Sequence, residues 1–457
     1  MDAIAAGLAA AISGVRYEDI PAAAIGAARR STLDTLAAMI AGSSAPGIAA
    51  QMAFAADWGG KPEARIIGSD LRVPAPVAAW VNGSMARALE IDDCVDFLPV
   101  HPSASCVPAL LVTAELIGGL SGREFLAALA TGQDIKIRFG MAVRQNAMQS
   151  GRNNLFKIFG PTAAVARALR LDARTTHQAL GISFSHAVGD GQCALDGALS
   201  LRLQQGIVAQ GALMSCLLAQ KGYTGAQDFL FGKYGYLRAF EPDPDIAPLT
   251  EDLGRRFHGE LITIKPYSAC RATHAAIDLA LALRASIGGD TGNIRRIDIG
   301  VSPEVDQLVG SPRESRLRPA SAAAAQFSLH YTVAAALARG RFFLREIEPE
   351  SYSDAAILKL AERVHVGSDP ALRTRLVIGC TRLRAELADG SVRELDSAVP
   401  SGSPERPIDA RVLAAKVHTC VEYCRAPLGT GAAGRLIELT ARLEELRDVR
   451  ELLEAIG

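Results

Sequence analysis

Apolar side chains recur at helical spacing over roughly the first 240 residues. One such run follows Pro21 and continues through Ile40, and abundant alanine favours helices and their close packing. The sequence Ser-Gly-Arg-Glu at 121–124 is a capping box, and Asp172 is a second N-cap residue before an apolar run. This pattern predicts one helix after another.

From about residue 260 the apolar positions alternate instead, which is typical of β-strands. Asp389-Gly390 lies between two such runs and is a strong hairpin signal. The predicted elements are strands at 296–301, 375–380, 382–387 and 392–395, and helices at 273–285 and 320–339. After Pro407 the pattern is helical again, and it ends in an amphipathic helix at 432–456 that fits a tail packing on the first domain. We therefore predict a mainly α protein with a smaller α+β part.

Composition excludes several classes of function. The 457 residues are 49% hydrophobic, which is enough for a large core and two domains. The 48 basic and 49 acidic residues nearly cancel without a basic block, so we expect no nucleic-acid partner. We also expect no membrane span, because no apolar run reaches about 18 residues. The N-terminus lacks the basic region of a signal peptide, and the eight scattered cysteines fit a reducing compartment, so we expect a cytoplasmic protein.

Common cofactor and metal motifs are missing from the sequence. It has no G-x-G-x-x-G after a strand, no phosphate loop, no G-x-S-x-G and no H-E-x-x-H, so we expect neither a cofactor nor a metal. Asp92-Asp93-Cys94-Val95-Asp96 does have the D-D-x-x-D spacing with which terpene synthases bind Mg²⁺. A 5% aromatic content, the α+β part and the lack of a second acidic motif make this a remote alternative.

Three short segments concentrate the reactive side chains. The first contains the acidic residues at 90–93 and then His101, the second spans 264–274, and the third is Gln-Phe-Ser-Leu-His-Tyr at 326–331. His101 precedes a predicted helix start at Pro102, where the helix dipole favours a neutral imidazole and attracts a carboxylate. The alternatives are a helix-start residue for His101, a solvated charge for Lys265, a capping or buried residue for His274 and simple core packing for the third segment. The residue types alone therefore leave the function open.

The order of these motifs resembles the MmgE/PrpD family, which includes 2-methylcitrate dehydratase, cis-aconitate decarboxylase and iminodisuccinate epimerase. The motifs are Leu-Glu-Ile-Asp-Asp at 89–93, His-Pro-Ser at 101–103, Lys-Pro-Tyr at 265–267, Thr-His at 273–274 and Gln-Phe-Ser-Leu at 326–329. The resemblance implies a large helical domain at 1–262 and 405–457 and an α+β lid domain at 263–404. It also implies a homodimer with a site in the cleft between the domains.

The resemblance also implies which residues form that site. We expect catalytic roles for four residues: Asp93, His101, Lys265 and His274. We expect six further residues to contact the substrate: Glu90, Cys94, Arg202, Tyr267, Cys270 and Arg271. Members related to the decarboxylase and dehydratase carry a lysine about five residues before the glycine that matches Gly206. Here that position is Leu201, which cannot pair with a carboxylate, although the adjacent Arg202 can if the register shifts.

The activity expected from the resemblance begins at a carbon next to a carboxylate of a small polycarboxylic acid. Such a reaction requires neutralised carboxylates and a base within hydrogen-bond reach. We expect Lys265 and Arg271 to hold carboxylates, His101 or His274 to transfer the proton, and Asp93 to orient the histidine or donate to a leaving hydroxyl. The first hypothesis is a hydro-lyase. An epimerase acting on a dicarboxylate such as iminodisuccinate and a cis-aconitate decarboxylase are the alternatives.

Overall fold

The chain forms two compact units. The computed structural model describes residues 3–144, 150–152, 154–374 and 380–456. Unit 1 comprises Met1–Ala88, Pro99–Ile262 and Ala410–Gly457, and unit 2 comprises Leu89–Leu98 and Thr263–Asp409. Helical residues make up 58% of the chain and the sheets are small, so the prediction of a mainly α protein is confirmed.

Unit 1 is built almost entirely from helices. They are Ala3–Gly14, Ala22–Gly42, Ile48–Trp58, Ala75–Arg87, Ser103–Leu116, Gly122–Ala142, Phe159–Ala168, Ala173–Phe184, Gln192–Leu195, Ser200–Gln220, Tyr236–Phe240, Ala247–Thr250, Ala410–Glu422, Ala432–Ala441 and Arg450–Glu454. The short strands Ala64–Arg65 and Arg72–Val73 pair antiparallel. None of the described helices is long and apolar enough to cross a membrane.

The predicted helix starts are confirmed at their capping residues. The Ser121 side chain accepts a hydrogen bond from the backbone N–H of Glu124 at 3.3 Å. The Asp172 side chain accepts one from the backbone N–H of Thr175 at 2.7 Å. Each cap satisfies an N–H group that has no partner inside its own helix.

Glycines at two helix crossings let the backbones of unit 1 approach closely. A Cβ on Gly206 would lie 2.1 Å from the carbonyl oxygen of Trp80, so the helices that carry these residues touch there. A Cβ on Gly160 would lie 2.6 Å from Cβ of Lys136 and 2.9 Å from the carbonyl oxygen of Gly132. The second crossing fixes where the Lys136 side chain leaves its helix.

The C-terminal segment packs on the N-terminal helices of the same unit. Nζ of Lys416 lies 2.5 Å from Oδ1 of Asp34, and both side chains are buried. The prediction of a single helix at 432–456 is wrong, because one α-helix ends at Ala441 and the next begins at Arg450. Within the break, the carbonyl of Leu446 and the N–H of Val449 hydrogen-bond to the backbone of the turn at 120–122 instead of continuing a helix.

Unit 2 contains a four-stranded sheet covered by helices. Its strands follow the order Val364–Ser368, Ile294–Val301, Thr381–Leu387 and Val392–Ser397, and the first pair is parallel while the others are antiparallel. The helices are His274–Ser286, Pro303–Val305, Arg313–Leu317, Ala322–Gln326, Leu329–Arg339, Pro349–Tyr352 and Ala355–Ala361. The strand predicted at 296–301 and the hairpin around Asp389-Gly390 are confirmed. Residues 375–379 of another predicted strand lie outside the described residues.

The helix predicted at 320–339 is interrupted in its middle. It forms two helices, and Ser328 separates them because its hydroxyl accepts a hydrogen bond from the N–H of Tyr331 at 3.0 Å. The same hydroxyl donates to the carbonyl of Arg316 at 2.6 Å. Serine thereby caps the second helix, so the prediction of one continuous helix is wrong.

Candidate active site

The acidic segment at 89–98 belongs to unit 2 although it follows a helix of unit 1. The carbonyl of Leu89 accepts hydrogen bonds from Oγ of Ser268 at 2.7 Å and from Nε2 of Gln326 at 2.8 Å. Glu90 adopts a left-handed backbone conformation, with φ of 56°, which is uncommon for a residue other than glycine. The segment therefore turns sharply and is held by two of the motifs that the sequence had singled out.

Lys265 forms a buried ion pair with Glu90. Its Nζ lies 3.2 Å from Oε2 and 3.3 Å from the backbone oxygen of Glu90. The side chains are 1% and 5% exposed, respectively. Desolvation of both charges is costly, so the pair persists only with good geometry and further polar contacts. The structure thus brings together two of the predicted site residues.

Arg271 donates its guanidinium N–H groups to protein acceptors. Nε and Nη2 bind the two carboxylate oxygens of Asp96 at 2.8 and 3.0 Å, and Nη2 also lies 2.7 Å from Oγ of Ser403. Nη1 lies 2.7 Å from the carbonyl of Ser401 and 3.1 Å from Nδ1 of His274. These contacts occupy all five N–H groups of an arginine. A role for Arg271 as a substrate carboxylate clamp is therefore not supported.

The contacts of Arg271 also bear on the alternative that the D-D-x-x-D motif at 92–96 binds Mg²⁺, as in a terpene synthase. Burial alone raises the pKa of Asp96, but the hydrogen bonds from Arg271 and Ser403 outweigh it and hold this pKa below its ordinary value. The carboxylate is thus ionised, and it is bound by a guanidinium and a hydroxyl. The terpene-synthase alternative is not supported, because the third acid of its metal motif is an ion-pair partner of Arg271.

The side chains of His274 and Tyr267 hydrogen-bond to neighbouring groups of the protein. Nδ1 of His274 accepts from Arg271, and Nε2–H donates to the carbonyl of Ala269 at 3.2 Å, which sets the tautomer. The ring of Tyr267 lies 5.1 Å from that of His274, centroid to centroid. Tyr267 donates its hydroxyl to Oδ1 of Asp278 at 2.6 Å, and burial together with this carboxylate raises its pKa. Neither side chain has the geometry of a base that is open to substrate.

The remaining predicted residues of unit 2 are buried. Asp93 is fully buried and Cys94 is 4% exposed. Burial raises the pKa of the Cys94 thiol to about 12, with the positive charge of Lys265 acting against this rise, so the group stays a protonated thiol. Cys270 is also buried, and its N–H donates to the carbonyl of Gln326 at 2.9 Å.

His101 lies in unit 1 immediately before the helix Ser103–Leu116, and it is partly exposed. The first turn of this helix is held by two buried hydrogen bonds. Nε2 of Gln133 donates to Oγ of Ser103 at 2.8 Å, and Nζ of Lys136 donates to Oγ of Ser105 at 2.7 Å. The position of His101 at a helix N-terminus is as the sequence predicted.

Two buried lysines of unit 1 were missed from the sequence. Arg202 is buried on the helix Ser200–Gln220, and Gln204, two residues further along, accepts a hydrogen bond from Nζ of Lys157 at 2.8 Å. Lys136 lies in the middle of the helix Gly122–Ala142. The sequence carried one signal, since lysine is rare here. We assigned no function to either residue from that pattern.

A surface cleft of unit 1 contains none of the predicted site residues. Its volume is about 430 Å³, and residues such as Ile117, Glu124, Arg170, Gln220 and Arg447 line it. Because neither histidine nor lysine is among the lining residues of this cleft, we do not assign the reaction to it.

Comparisons with known proteins agree with the motif order. The family model of the MmgE/PrpD N-terminal domain matches residues 6–249, and that of the MmgE/PrpD C-terminal domain matches residues 267–442. The chain belongs to the MmgE/PrpD family. The resemblance drawn from the sequence is therefore confirmed.

Three curated relatives carry cis-aconitate decarboxylase in their names. The cis-aconitate decarboxylase-like protein oryM of Aspergillus oryzae is 28% identical over 86% of this chain and 85% of its own. Human cis-aconitate decarboxylase is 23% identical over 98% of this chain and 93% of its own. Mouse cis-aconitate decarboxylase is 24% identical over 83% of this chain and 78% of its own.

Proposed function

We propose that this protein is a lyase that acts on a citrate-like tricarboxylic acid by proton transfer at a carbon next to a carboxylate. The observation that carries the proposal is the buried Lys265–Glu90 pair, held in the acidic segment that also contains Asp93. Family membership and three relatives named as cis-aconitate decarboxylases support the substrate class.

Each group in the proposed mechanism has one task. The Lys265 ammonium neutralises a substrate carboxylate and shares its donors with Glu90, which keeps the charge in place. His101 transfers the proton, because imidazole has an unperturbed pKa of about 6.5 and exchanges protons near neutral pH. Asp93 orients the acid or base group or donates to a leaving hydroxyl. Arg271 holds the segment that carries Glu90 and Asp93 through its ion pair with Asp96, and His274 accepts a hydrogen bond from Arg271.

Decarboxylation of cis-aconitate is the reaction that the names of the relatives favour. In that reaction a C–C bond breaks, its electron pair forms a new double bond and CO₂ leaves. The former double bond takes a proton on a carbon next to a remaining carboxylate. Dehydration, the first hypothesis from the sequence, uses the same type of proton transfer in reverse and adds an acid for the leaving hydroxyl. We therefore keep dehydration as the second candidate.

Proton NMR of the purified protein in D₂O distinguishes these reactions. Separate tubes contain cis-aconitate, citrate, 2-methylcitrate and iminodisuccinate. We expect new =CH₂ signals from cis-aconitate, with deuterium entering the adjacent CH₂ group. Vinyl signals that grow from a hydroxy acid would establish dehydration instead. α-Deuteration without elimination would establish an isomerase, and unchanged spectra in all tubes would contradict the lyase proposal.

The homodimer implied by the resemblance stays a prediction. Light scattering on the eluate of a size-exclusion column tests it, with a particle mass of two chains as the expected result and a mass of one chain as the contrary one.

A further inference from the structure

The loop at 400–403 follows the last strand of unit 2, and the expected site assigned no function to it. It packs against the chain immediately before Lys265, where the N–H of Ile264 donates to the carbonyl of Gly402 at 3.2 Å. Gly402 has φ of 95°, a left-handed conformation that favours glycine. A Cβ at this position would lie 2.1 Å from the carbonyl oxygen of Ile264. Any side chain here would therefore displace the backbone next to Lys265.

The same loop binds a side chain on the other side of Lys265. Nη1 of Arg271 donates to the carbonyl of Ser401 at 2.7 Å, and Nη2 donates to Oγ of Ser403 at 2.7 Å. The lysine is thus flanked, before and after it in the chain, by residues that one short loop holds.

Ser403 also joins the loop to the acidic segment at 89–98. Its hydroxyl donates to the carboxylate of Asp96. Ser403 is fully buried, so water does not take the place of this partner when it is lost. The acidic segment contains Glu90, the ion-pair partner of Lys265. One loop therefore contacts both stretches of chain that carry the Lys265–Glu90 pair.

Hydrogen bonds within the loop and beside it fix its shape. The N–H of Gly402 donates to the carbonyl of Arg406 at 2.9 Å, and the N–H of Arg406 donates to the carbonyl of Ser403 at 3.0 Å. Oδ2 of the buried Asp278 accepts from the N–H of Ser401 at 2.7 Å and lies 3.1 Å from Nη1 of Arg406. A loop fixed in this way can hold the segments that it contacts in one relative position.

We propose that the loop at 400–403 sets the position of Lys265 against Glu90, with Gly402 and Ser403 as positioning residues. Nζ of Lys265 lies 3.2 Å from Oε2 of Glu90, and a displacement of about 1 Å in a reacting site can lower a rate by about 10². That this pair acts on a substrate carboxylate rests on the proposed function. Neither positioning residue is assigned a contact with the substrate.

Gly402→Ala tests the contact with the chain before Lys265. The new Cβ must push the Ile264 carbonyl away, so we expect kcat/KM on the acid identified by NMR to fall about tenfold or more. The fall should come mainly from a rise in KM, because a displaced ammonium binds the substrate carboxylate less well. Gly390→Ala is the matched control. Gly390 has φ of 83° in a hairpin of the same unit, and a Cβ there meets no atom within 4 Å, so the backbone strain is similar but KM should not change.

Ser403→Ala tests the link to the acidic segment. Asp96 and Arg271 each lose a buried partner, so we expect KM to rise about threefold or more. Ser302→Ala is the control, since Ser302 is also buried in unit 2 but its hydroxyl caps a helix. A role confined to stability would lower the amount of active enzyme, and hence the apparent kcat, while KM stayed at the wild-type value.

Hydrogen–deuterium exchange of the full chain, followed by mass spectrometry, is a readout that needs no reaction. Exchange in peptides that cover 262–271 and 89–98 should be faster in the two loop variants than in the wild type, because the loop no longer restrains these segments. The two control variants should exchange at the wild-type rate in both peptides.

The outcomes separate the role of the loop from the proposed function. Turnover with wild-type KM in both loop variants overturns the positioning role and leaves the lyase proposal intact. If the wild type turns over no acid, the lyase proposal fails and exchange decides on the loop. Faster exchange in the loop variants alone then supports the positioning role, and unchanged exchange overturns it. If Gly402→Ala does not fold, Ser403→Ala and its control give the same decision.

Discussion

Arg271 and Asp96 form a buried bidentate ion pair, with N–O distances of 2.8 and 3.0 Å, across 175 residues of sequence. The pair ties the acidic segment at 89–98 to the start of the helix His274–Ser286. Through Ser401 and Ser403 it also holds the loop that follows the last strand. Sequence comparison with the family had suggested a substrate contact for Arg271, and the geometry gives it a structural one.

We expect Asp96→Asn to destabilise the protein by about 3–5 kcal/mol, because it leaves the Arg271 charge buried without its carboxylate. Urea unfolding followed by circular dichroism measures this change. Asp298→Asn is the matched control, since Asp298 pairs with the exposed Arg296 in the same unit and should cost less than about 1 kcal/mol. Equal losses in the free energy of unfolding for the two variants would show that the buried pair stabilises the protein no more than the exposed one.

We expect Lys265→Met combined with Glu90→Gln to lower kcat/KM by about 10² or more, because the substrate carboxylate loses its counter-charge. The double change removes both members of the ion pair, so no unpaired charge stays buried and folding should be retained. Steady-state kinetics on the acid identified by NMR measures the loss. Lys359→Met, at an exposed helical position of the same unit, is the control. A double variant as active as this control would exclude Lys265 from the reaction.

His101→Ala should reduce kcat by about 10² if His101 transfers the proton. The pH profile provides the specific readout, because the limb that reports the imidazole should disappear from the variant while the unfolding temperature stays unchanged. His418→Ala is the comparison, since His418 is exposed on a helix of the same unit. Near-wild-type turnover by His101→Ala would assign the proton transfer to another group.

His330 should make the protein sensitive to acid. It is 1% exposed, and neither ring nitrogen has a hydrogen-bond partner among the described residues. Burial, followed by the charges of Arg313, His365 and Arg316, lowers its pKa to about 4. The unfolded state therefore binds more protons between pH 6.5 and pH 4. Stability falls as pH drops through that window, by up to about 3 kcal/mol from this group.

His330→Leu tests this effect, because leucine fits the apolar helix and does not titrate. Urea unfolding of the wild type and the variant at pH 7, 6, 5 and 4 measures the difference in slope. We expect the variant to lose less stability on acidification than the wild type. Parallel pH dependences would show that His330 is not the group that titrates.

Local structure was largely predictable from the sequence. The helix starts at Ser121 and Asp172 and the hairpin at Asp389-Gly390 depend on neighbours within a few residues, so periodicity and capping chemistry were sufficient for them. The order of the motifs was sufficient to identify the family. In the same way, His-Pro-Ser was sufficient to place His101 before a helix.

The tertiary structure decided everything that depends on contacts between distant segments. The C-terminal helix breaks because Leu446 and Val449 bond to the turn at 120–122, which no local pattern records. Arg271 is occupied by Asp96, and the charges of Lys136 and Lys157 meet inside unit 1, because folding brings side chains from different helices together in a low-dielectric interior. The sequence by itself determined which reactive groups the chain carries and where its local elements begin. The packed structure determined which of those groups are paired with one another.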